Sequence, residues 1–388
     1  MAKKANINPE ILKWARKSAR MTLDKAAKTI SKTCKPERIR EWESPDGDDR
    51  PSVKQVEKLA RLYRRPKEIF SLPFIPRDFP PLKDFRKEKG DGYDTGLIFM
   101  MREIQEKQEW LSGFLSRSRQ KKIDFAGRYN IKHDPLVVAA DIRKTLGIQQ
   151  QPASVKPLKY WIERAEAKRI FVCLSSNYHT RLKLDSDVFR GFVIADKFAP
   201  FIFINSDDWD QGQLVTLVHA LVHIFIGVSG VFADTYGSPH KEGIHPVEKF
   251  CNEVTAPALM PEKEMSAFIP GSKAEFKHIA KAARRLGLSN ETILNRVMNL
   301  KLIEEDKGKS FRKEASDLWK EFLLKESQKK KPSGGPNYYV MALRRSSKAY
   351  SNIIMDIYKG GKISGADASR LLKVKEANFQ KFEKYIYK

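Results

Sequence analysis

Two histidines four residues apart, His219 and His223, are the residues whose type and spacing point most directly to chemistry. They lie inside an apolar stretch from Leu214 to Ile226, which predicts a buried helix over residues 211–227. Residues at positions i and i+4 lie one above the other on one helix face. Two imidazole nitrogens at this spacing can reach the same ion. The pair therefore predicts a metal site, and its alternative is a pair of histidines packed in a core.

Ala220, the residue after the first histidine, decides what such a site could do. In the zinc-protease pattern His-Glu-x-x-His, this position is a Glu that takes a proton from zinc-bound water. Alanine cannot accept a proton, and loss of a general base typically costs about two to four orders of magnitude in rate. Alanine is a small, good helix former, so the helix would be undisturbed. We predict a catalytically dead variant; an engineered replacement and a natural loss would leave the same sequence.

A third ligand is available on the next predicted helix, over residues 246–258. Glu248 would complete a His₂Glu set for Zn²⁺ and leave one position open for water. Its alternatives are His245 and Glu253, which the spacing does not exclude, and an ordinary solvated helix face. The two helices together predict a zinc site.

Composition limits the classes of protein and partner. The chain has 388 residues and 41% hydrophobic residues, which predicts a multidomain globular protein. Its net charge of +25 favours a polyanionic partner, nucleic acid before membrane. No apolar run reaches about 18 residues, and the start, Met1 to Asn6, lacks an apolar segment, which predicts a cytoplasmic protein. Cys34, Cys173 and Cys251 are too scattered for a disulfide framework or a Cys-only zinc site.

The first 72 residues predict a run of short helices. Pro9 begins the first, Thr22 caps the second over Leu23 to Ile30, and others cover Pro36 to Glu43 and Val53 to Tyr63. Helices joined by tight turns in this number are typical of a helix-turn-helix domain.

The helix from Pro36 to Glu43 is the candidate recognition helix. Ile39 and Trp42 are expected in the core. The cations offered to DNA are Lys35, Arg38 and Arg40. The acidic residues that would repel phosphate are Glu37, Glu41 and Glu43. Protein binding is therefore the alternative use of this helix.

The remaining sequence predicts a mainly helical α+β protein. Strand-like runs at 169–174, 189–194 and 201–204 precede the histidine helix, the last two as an antiparallel pair. A second helix pair is expected over 273–286 and 291–303, with Ser289 as N-cap. The basic segment 329–335 predicts a linker. The predicted domains are 1–72 (helix-turn-helix), 73–150 (linker and helices), 151–271 (zincin-like domain with a small sheet), 272–328 (helix-turn-helix-like helices) and 336–388 (C-terminal helices). Core candidates of the last are Tyr338, Leu343, Ile353, Ile354 and Leu371.

These motifs together resemble the ImmA/IrrE metallopeptidases, in the long form with an N-terminal Xre-type helix-turn-helix. The resemblance spans nearly the whole chain. In the N-terminal part it is carried by Ile7 to Arg16, Trp42-Glu43, Lys58-Leu59-Ala60 and Asp84-Phe85-Arg86. Further along, it is carried by Pro200 to Asn205, by Thr216 to His223, and by Glu248 to Asn252 with Leu259-Met260-Pro261. At the C-terminal end it is carried by Gly361 to Ser364 with Ala368 to Leu372.

The resemblance implies a gluzincin-like domain in which His219, His223 and Glu248 bind zinc and position 220 is normally Glu. It implies a DNA-binding repressor or antitoxin-like protein as substrate. A zincin also stabilises the oxyanion with a side chain, for which Tyr178, His179, Tyr236 and His240 are available. Two alternatives remain: a DNA-binding regulator or antitoxin that uses a pseudo-peptidase domain as a binding module, and a partner-sensing adaptor that binds through residues 329–388.

Overall fold

A computed structural model describes residues 4–80, 82–85, 93–148, 155–179, 182–186, 189–232, 244–328 and 337–387. The chain divides into two compact units. Unit 1 comprises Met1–Pro81, Lys89–Gln105 and Asn177–Lys183, and unit 2 comprises Leu82–Glu88, Glu106–Ser176 and Leu184–Lys388. The finer division into five domains stays a prediction. Arg86 and the basic segment 329–335 lie outside the described residues.

Unit 1 begins with the predicted short helices. They are α1 (Pro9–Ser18), α2 (Leu23–Ile30), α3 (Pro36–Trp42) and α4 (Val53–Tyr63), followed by a 3₁₀ helix at Lys67–Ser71. Thr22 caps α2 as predicted, because its hydroxyl accepts a hydrogen bond from the Lys25 backbone at 3.2 Å. A small antiparallel pair, β2 (Asn177–His179) and β3 (Leu182–Lys183), also belongs to this unit.

Helix α3 keeps its apolar side inward and its cations outward. Ile39 and Trp42 are fully buried, as expected from the sequence. Lys35, Arg38 and Arg40 are exposed, and Arg38 Nε lies 2.9 Å from Asp49 Oδ2. The expectation that three glutamates of this segment repel phosphate is wrong for Glu43. That side chain is 4% exposed and is bound by Arg16 through two hydrogen bonds of 2.7 and 2.8 Å.

The Arg16–Glu43 pair gives the first testable prediction. Replacing Glu43 by alanine would leave the Arg16 guanidinium, whose side chain is 12% exposed, without its carboxylate. Removing one partner of a buried ion pair typically destabilises a protein by about 3–5 kcal/mol. We expect this loss in the free energy of unfolding of unit 1, measured by urea denaturation. Glu37→Ala on the exposed side of α3 is the matched control, and an equal loss in both variants would contradict the role of the pair.

Unit 2 is built around a small mixed sheet. Its strands are β1 (Phe171–Ser175), β4 (Gly191–Ile194), β5 (Phe201–Asn205) and β6 (Gly230–Phe232), in the order β1-β5-β4-β6. β4 and β5 form the antiparallel pair predicted from the sequence, whereas β1 runs parallel to β5. β6 pairs with β4 alone among these strands, so it lies at an edge of the sheet.

Six helices come before and after these strands in the chain, and the long apolar one packs on the sheet. They are α5 (Thr95–Arg117), which is divided between the two units, α6 (Pro135–Leu146), α7 (Pro157–Glu166), α8 (Asp210–Phe225), α9 (Pro246–Leu259) and α10 (Glu262–Phe268). Every residue of α8 from Gln213 to Phe225 is buried. A helix that is apolar on all sides must be covered on all sides. α8 packs against β4 and β5, α7 and α9, and α9 also packs against α6.

The C-terminal part of unit 2 is helical. Its helices are α11 (Phe276–Leu286), α12 (Asn290–Asn299), α13 (Glu305–Gln328), α14 (Tyr338–Ser346), α15 (Lys348–Lys359), α16 (Gly365–Leu372) and α17 (Phe379–Ile386). Ser289 caps α12 as predicted, accepting from the Thr292 backbone at 3.0 Å. The second helix pair is shorter than predicted because a 3₁₀ turn at Gly271–Lys273 precedes α11 and Lys301 adopts a positive φ after α12. Tyr338 was wrongly expected in the core; it is 54% exposed.

The predicted mainly helical α+β class is confirmed by these elements. Within the residues described, none of the helices combines the length and the apolar character that crossing a membrane would require.

Candidate metal centre

Helices α8 and α9 bring the predicted ligand side chains together. His219 and His223 lie one turn apart on α8, and both are fully buried. Glu248 lies in the first turn of α9, where the helix N-terminus favours a carboxylate. Pro246 occupies the first turn of α9, and His245 caps it by accepting a hydrogen bond from the Val247 backbone at 3.2 Å.

The imidazole nitrogens and carboxylate oxygens that could bind a metal lie close enough together to reach one ion. Glu248 Oε2 lies 3.1 Å from His219 Nε2, and Glu248 Oε1 lies 3.0 Å from His223 Nε2. The two Nε2 atoms are 3.3 Å apart. A tetrahedral zinc ion with bonds of about 2.0–2.1 Å separates its donor atoms by about 3.3 Å. The spacing of the three side chains therefore fits a small tetrahedral ion.

The opposite ring nitrogens fix the histidine tautomers. His223 Nδ1 lies 3.1 Å from the Val228 carbonyl oxygen, and His219 Nδ1 lies 3.2 Å from Asn252 Oδ1. Both oxygens can only accept a hydrogen bond, so both Nδ1 atoms carry the proton. When a ring with this tautomer is neutral, its Nε2 atom has a lone pair available for a metal ion. Outer hydrogen bonds of this kind orient metal-binding histidines.

The three side chains face one buried point. Both Nε2 atoms lie against the Glu248 carboxylate, whose Oε1 is buried with no hydrogen bond to any described residue. A buried acceptor without a partner is costly. A cation at this point would satisfy all three side chains, so the residues present fit a metal ion.

The charge states also suit a cation. Burial raises the pKa of Glu248, but the two histidines outweigh burial and lower that pKa to about 2, so the carboxylate is ionised. Burial lowers the pKa of His223 against the opposing effect of Glu248, so the ring is neutral at pH 7. Metal ligands must be deprotonated carboxylates and neutral imidazoles.

Cys251 is an alternative to Glu248 as the third ligand, and it was not predicted from the sequence. One ligand atom each from His219, His223 and Cys251 lie within 4.8 Å of one another. Burial, reinforced by the Glu248 charge, raises the pKa of the fully buried thiol well above its usual value. A thiol in this state must lose a proton before it can bind a metal. Its position three residues after Glu248 on one helix was the available signal.

Two rivals named from the sequence have other surroundings. Both ring nitrogens of His245 are in contact: Nδ1 with the Val247 backbone and Nε2 with Lys83 Nζ at 3.1 Å. Glu253 is exposed on α9. Tyr236, His240 and the side chains of Tyr178 and His179, the candidates for oxyanion stabilisation, lie outside the described residues.

Ala220 is fully buried beside this cluster, one residue after His219, within the hydrophobic core of unit 2. Its methyl group neither donates nor accepts a proton. His219, His223 and Glu248 thus form a cluster of candidate ligands, to which position 220 contributes only packing.

Comparison with known proteins supports this class of site. The model of the IrrE N-terminal-like domain, Peptidase_M78, matches residues 169–298, which include α8, α9 and the four-stranded sheet. The match supports the resemblance to the ImmA/IrrE family and indicates a metallopeptidase-like domain in this part of the chain. No curated protein matches the chain.

Proposed function

We propose that residues 169–298 carry a zinc metallopeptidase site in which His219, His223 and Glu248 are the ligands, and that Ala220 makes the site inactive. The observation that carries this proposal is the convergence of three buried side chains that can bind a metal, with their facing nitrogen and oxygen atoms 3.0–3.3 Å apart. The donor set leaves a fourth tetrahedral position open, as catalytic zinc sites require.

The chemistry follows from what each side chain can do. Bound zinc lowers the pKa of a water molecule and polarises a substrate carbonyl. His219 and His223 hold fixed tautomers through Asn252 and Val228, and Glu248 supplies negative charge. Position 220 would have to accept a proton during attack on the carbonyl. Ala220 cannot, so the site binds and orients without completing hydrolysis.

The substrate we propose is a DNA-binding repressor or antitoxin-like protein, as the family resemblance implies. The test is incubation of the Ala220→Glu variant with the repressor-class protein encoded beside this gene, followed by mass spectrometry of the products. Cleavage at a defined bond that a chelator abolishes would support the proposal. A variant that binds zinc and leaves the repressor intact would overturn this choice of substrate.

A second candidate function is DNA binding through α3. It is favoured by the exposure of Lys35, Arg38 and Arg40 and by the inward direction of Glu43, which removes one repulsive charge from that surface. The chain would then be a regulator that uses the peptidase-like domain as a binding module.

The DNA-binding candidate predicts a specific salt dependence. Each lysine or arginine that neutralises a phosphate contributes about 0.9 to the slope of log K against log salt concentration. The double variant Lys35→Ala/Arg40→Ala should therefore bind promoter DNA more weakly and reduce the slope by about 2. Lys13→Ala, an exposed change on α1, is the control. An unchanged slope in the double variant would contradict DNA binding by α3.

A further inference from the structure

A short segment of the linker lies along the β6 edge of the sheet, beside the candidate metal centre. This segment, Lys83–Phe85, is called the strap below. The Phe85 backbone N–H donates to the Val231 carbonyl at 2.9 Å, and the Val231 N–H donates to the Lys83 carbonyl at 2.8 Å. Asp84 thereby pairs with Val231 in a parallel bridge. The strap satisfies edge groups of β6 in the way an added peptide strand does.

The strap directs its side chains to the metal centre. Residues two apart on an extended strand point to the same face, so Lys83 and Phe85 lie together. The Phe85 ring centroid is 5.6 Å from that of His223 and 4.9 Å from that of His245. Lys83 Nζ lies 5.1 Å from the Phe85 ring centroid and 3.1 Å from His245 Nε2. The strap thus places an aromatic ring directly against a proposed ligand.

Gly230 lies against the Phe85 ring. A Cβ at this position would overlap the Phe85 ring and lie 3.1 Å from the Lys83 carbonyl oxygen. Gly230 does not have a positive φ, so its backbone conformation does not require glycine. Glycine is required at this position because the strap approaches the backbone of β6 closely. Gly230 therefore creates a pocket on β6 that accepts an aromatic side chain.

The strap lies at the surface of unit 2, with Phe85 packed against the hydrophobic core. Phe85 is half-buried, and Lys83 and Asp84 are exposed. The preceding linker is proline-rich, and its Phe74 is 67% exposed. The strap is held by two main-chain hydrogen bonds, by the ring contacts of Phe85 with His223 and His245, and by the contact of Lys83 with His245. An extended peptide with an aromatic side chain could make the same main-chain bonds and ring contacts.

We propose that the strap is an internal ligand of the β6 edge, and that it shields His223 until an extended peptide with an aromatic side chain displaces it into solution. The peptide would use the same main-chain groups of Val231 and the same pocket over Gly230. Only the reaction undergone by such a peptide rests on the proposed function; occupation of the edge does not depend on zinc.

The first test measures how strongly the strap protects the backbone amides of β6 from hydrogen exchange. Hydrogen exchange of the full-length chain, followed by mass spectrometry, reports protection of β6 with and without EDTA. Phe85→Ala should exchange the Val231 amide faster than wild type, by about tenfold or more, because a freed edge amide meets water. Phe74→Ala is the matched control and should match wild type. Equal exchange in Phe85→Ala and wild type would overturn the proposal.

The second test distinguishes release of the strap from binding of a peptide in the pocket that the strap leaves empty. The probe is a fluorescein-labelled peptide copying residues 80–87, measured by anisotropy. Phe85→Ala should bind it at least about tenfold more tightly than wild type, because the internal competitor is weakened. Gly230→Ala should expose the edge to exchange yet bind the probe no better than wild type, since its methyl group fills the pocket. Gly113→Ala, whose Cβ would have its nearest contacts with the flexible Arg117 side chain, is the control.

The outcomes distinguish this proposal from the proposed function. Identical affinities in wild type and Phe85→Ala, absence of binding by both, or full binding by Gly230→Ala would overturn the internal-ligand role. A chain that binds no zinc but shows the expected exchange and affinities would overturn the metallopeptidase assignment and leave the strap in place.

Discussion

Replacing Ala220 by glutamate is expected to raise the rate of peptide-bond hydrolysis by about two to four orders of magnitude, the usual contribution of a general base. Residue 220 directly follows His219 on α8, so a side chain at this position begins next to the proposed zinc ligand. A carboxylate there would accept the proton that the present methyl group cannot. The measurement is kcat/KM on the cleaved repressor, with and without a chelator.

The same replacement has a structural cost that sharpens the test. Ala220 is fully buried, so a glutamate without zinc would be a buried charge without a partner. The Ala220→Glu variant should therefore depend more on zinc for its thermal stability than wild type does. Ala220→Gln has nearly the same shape and no proton-accepting carboxylate, which makes it the matched control. Equal rates in the Glu and Gln variants would contradict the assignment of position 220.

Glu248→Gln is expected to weaken zinc binding by more than about 100-fold, beyond the 10–100-fold typical of an outer hydrogen bond. The carboxylate is 3.0–3.1 Å from both Nε2 atoms and is ionised, with a pKa of about 2 after the histidines outweigh its burial. Glutamine keeps the shape and removes the charge. Affinity is measured by competition with a chromogenic chelator at pH 7.

Cys251→Ala is the paired experiment, because Cys251 is the alternative third ligand on the same helix. Burial, followed by the Glu248 charge, raises the pKa of this thiol, so the thiolate form is disfavoured. We expect zinc affinity within about threefold of wild type, since no ligand on the proposed set is lost. A large loss in Cys251→Ala with little change in Glu248→Gln would assign the metal to the His₂Cys set instead.

The parts of this fold that the sequence predicted well are those set by local chemistry. The bounds of α2, the caps Thr22 and Ser289, and the apolar α8 follow from capping residues and periodicity. The antiparallel pairing of β4 and β5 follows from two β-branched and aromatic runs close in sequence. The resemblance to a metallopeptidase family is supported over the segment that contains both histidines.

The structural features that were not predicted from the sequence depend on contacts between distant segments. Nothing local to Glu43 shows that Arg16, 27 residues away, holds it inside unit 1. Cys251 gained its place near the histidines from the packing of α9 on α8. The pairing of the strap with Val231 joins segments far apart in the chain, and strand pairing of this kind leaves no periodic signal in either segment.

The most direct test of the metal centre is the zinc content of the purified full-length chain, measured by elemental mass spectrometry beside that of His219→Ala. We expect about one zinc per wild-type chain and nearly none in the variant, because one of three protein ligands is lost. Wild-type chain that holds no zinc, even after reconstitution, would contradict the account. The buried histidines would then be core packing, and DNA binding through α3 would become the leading function.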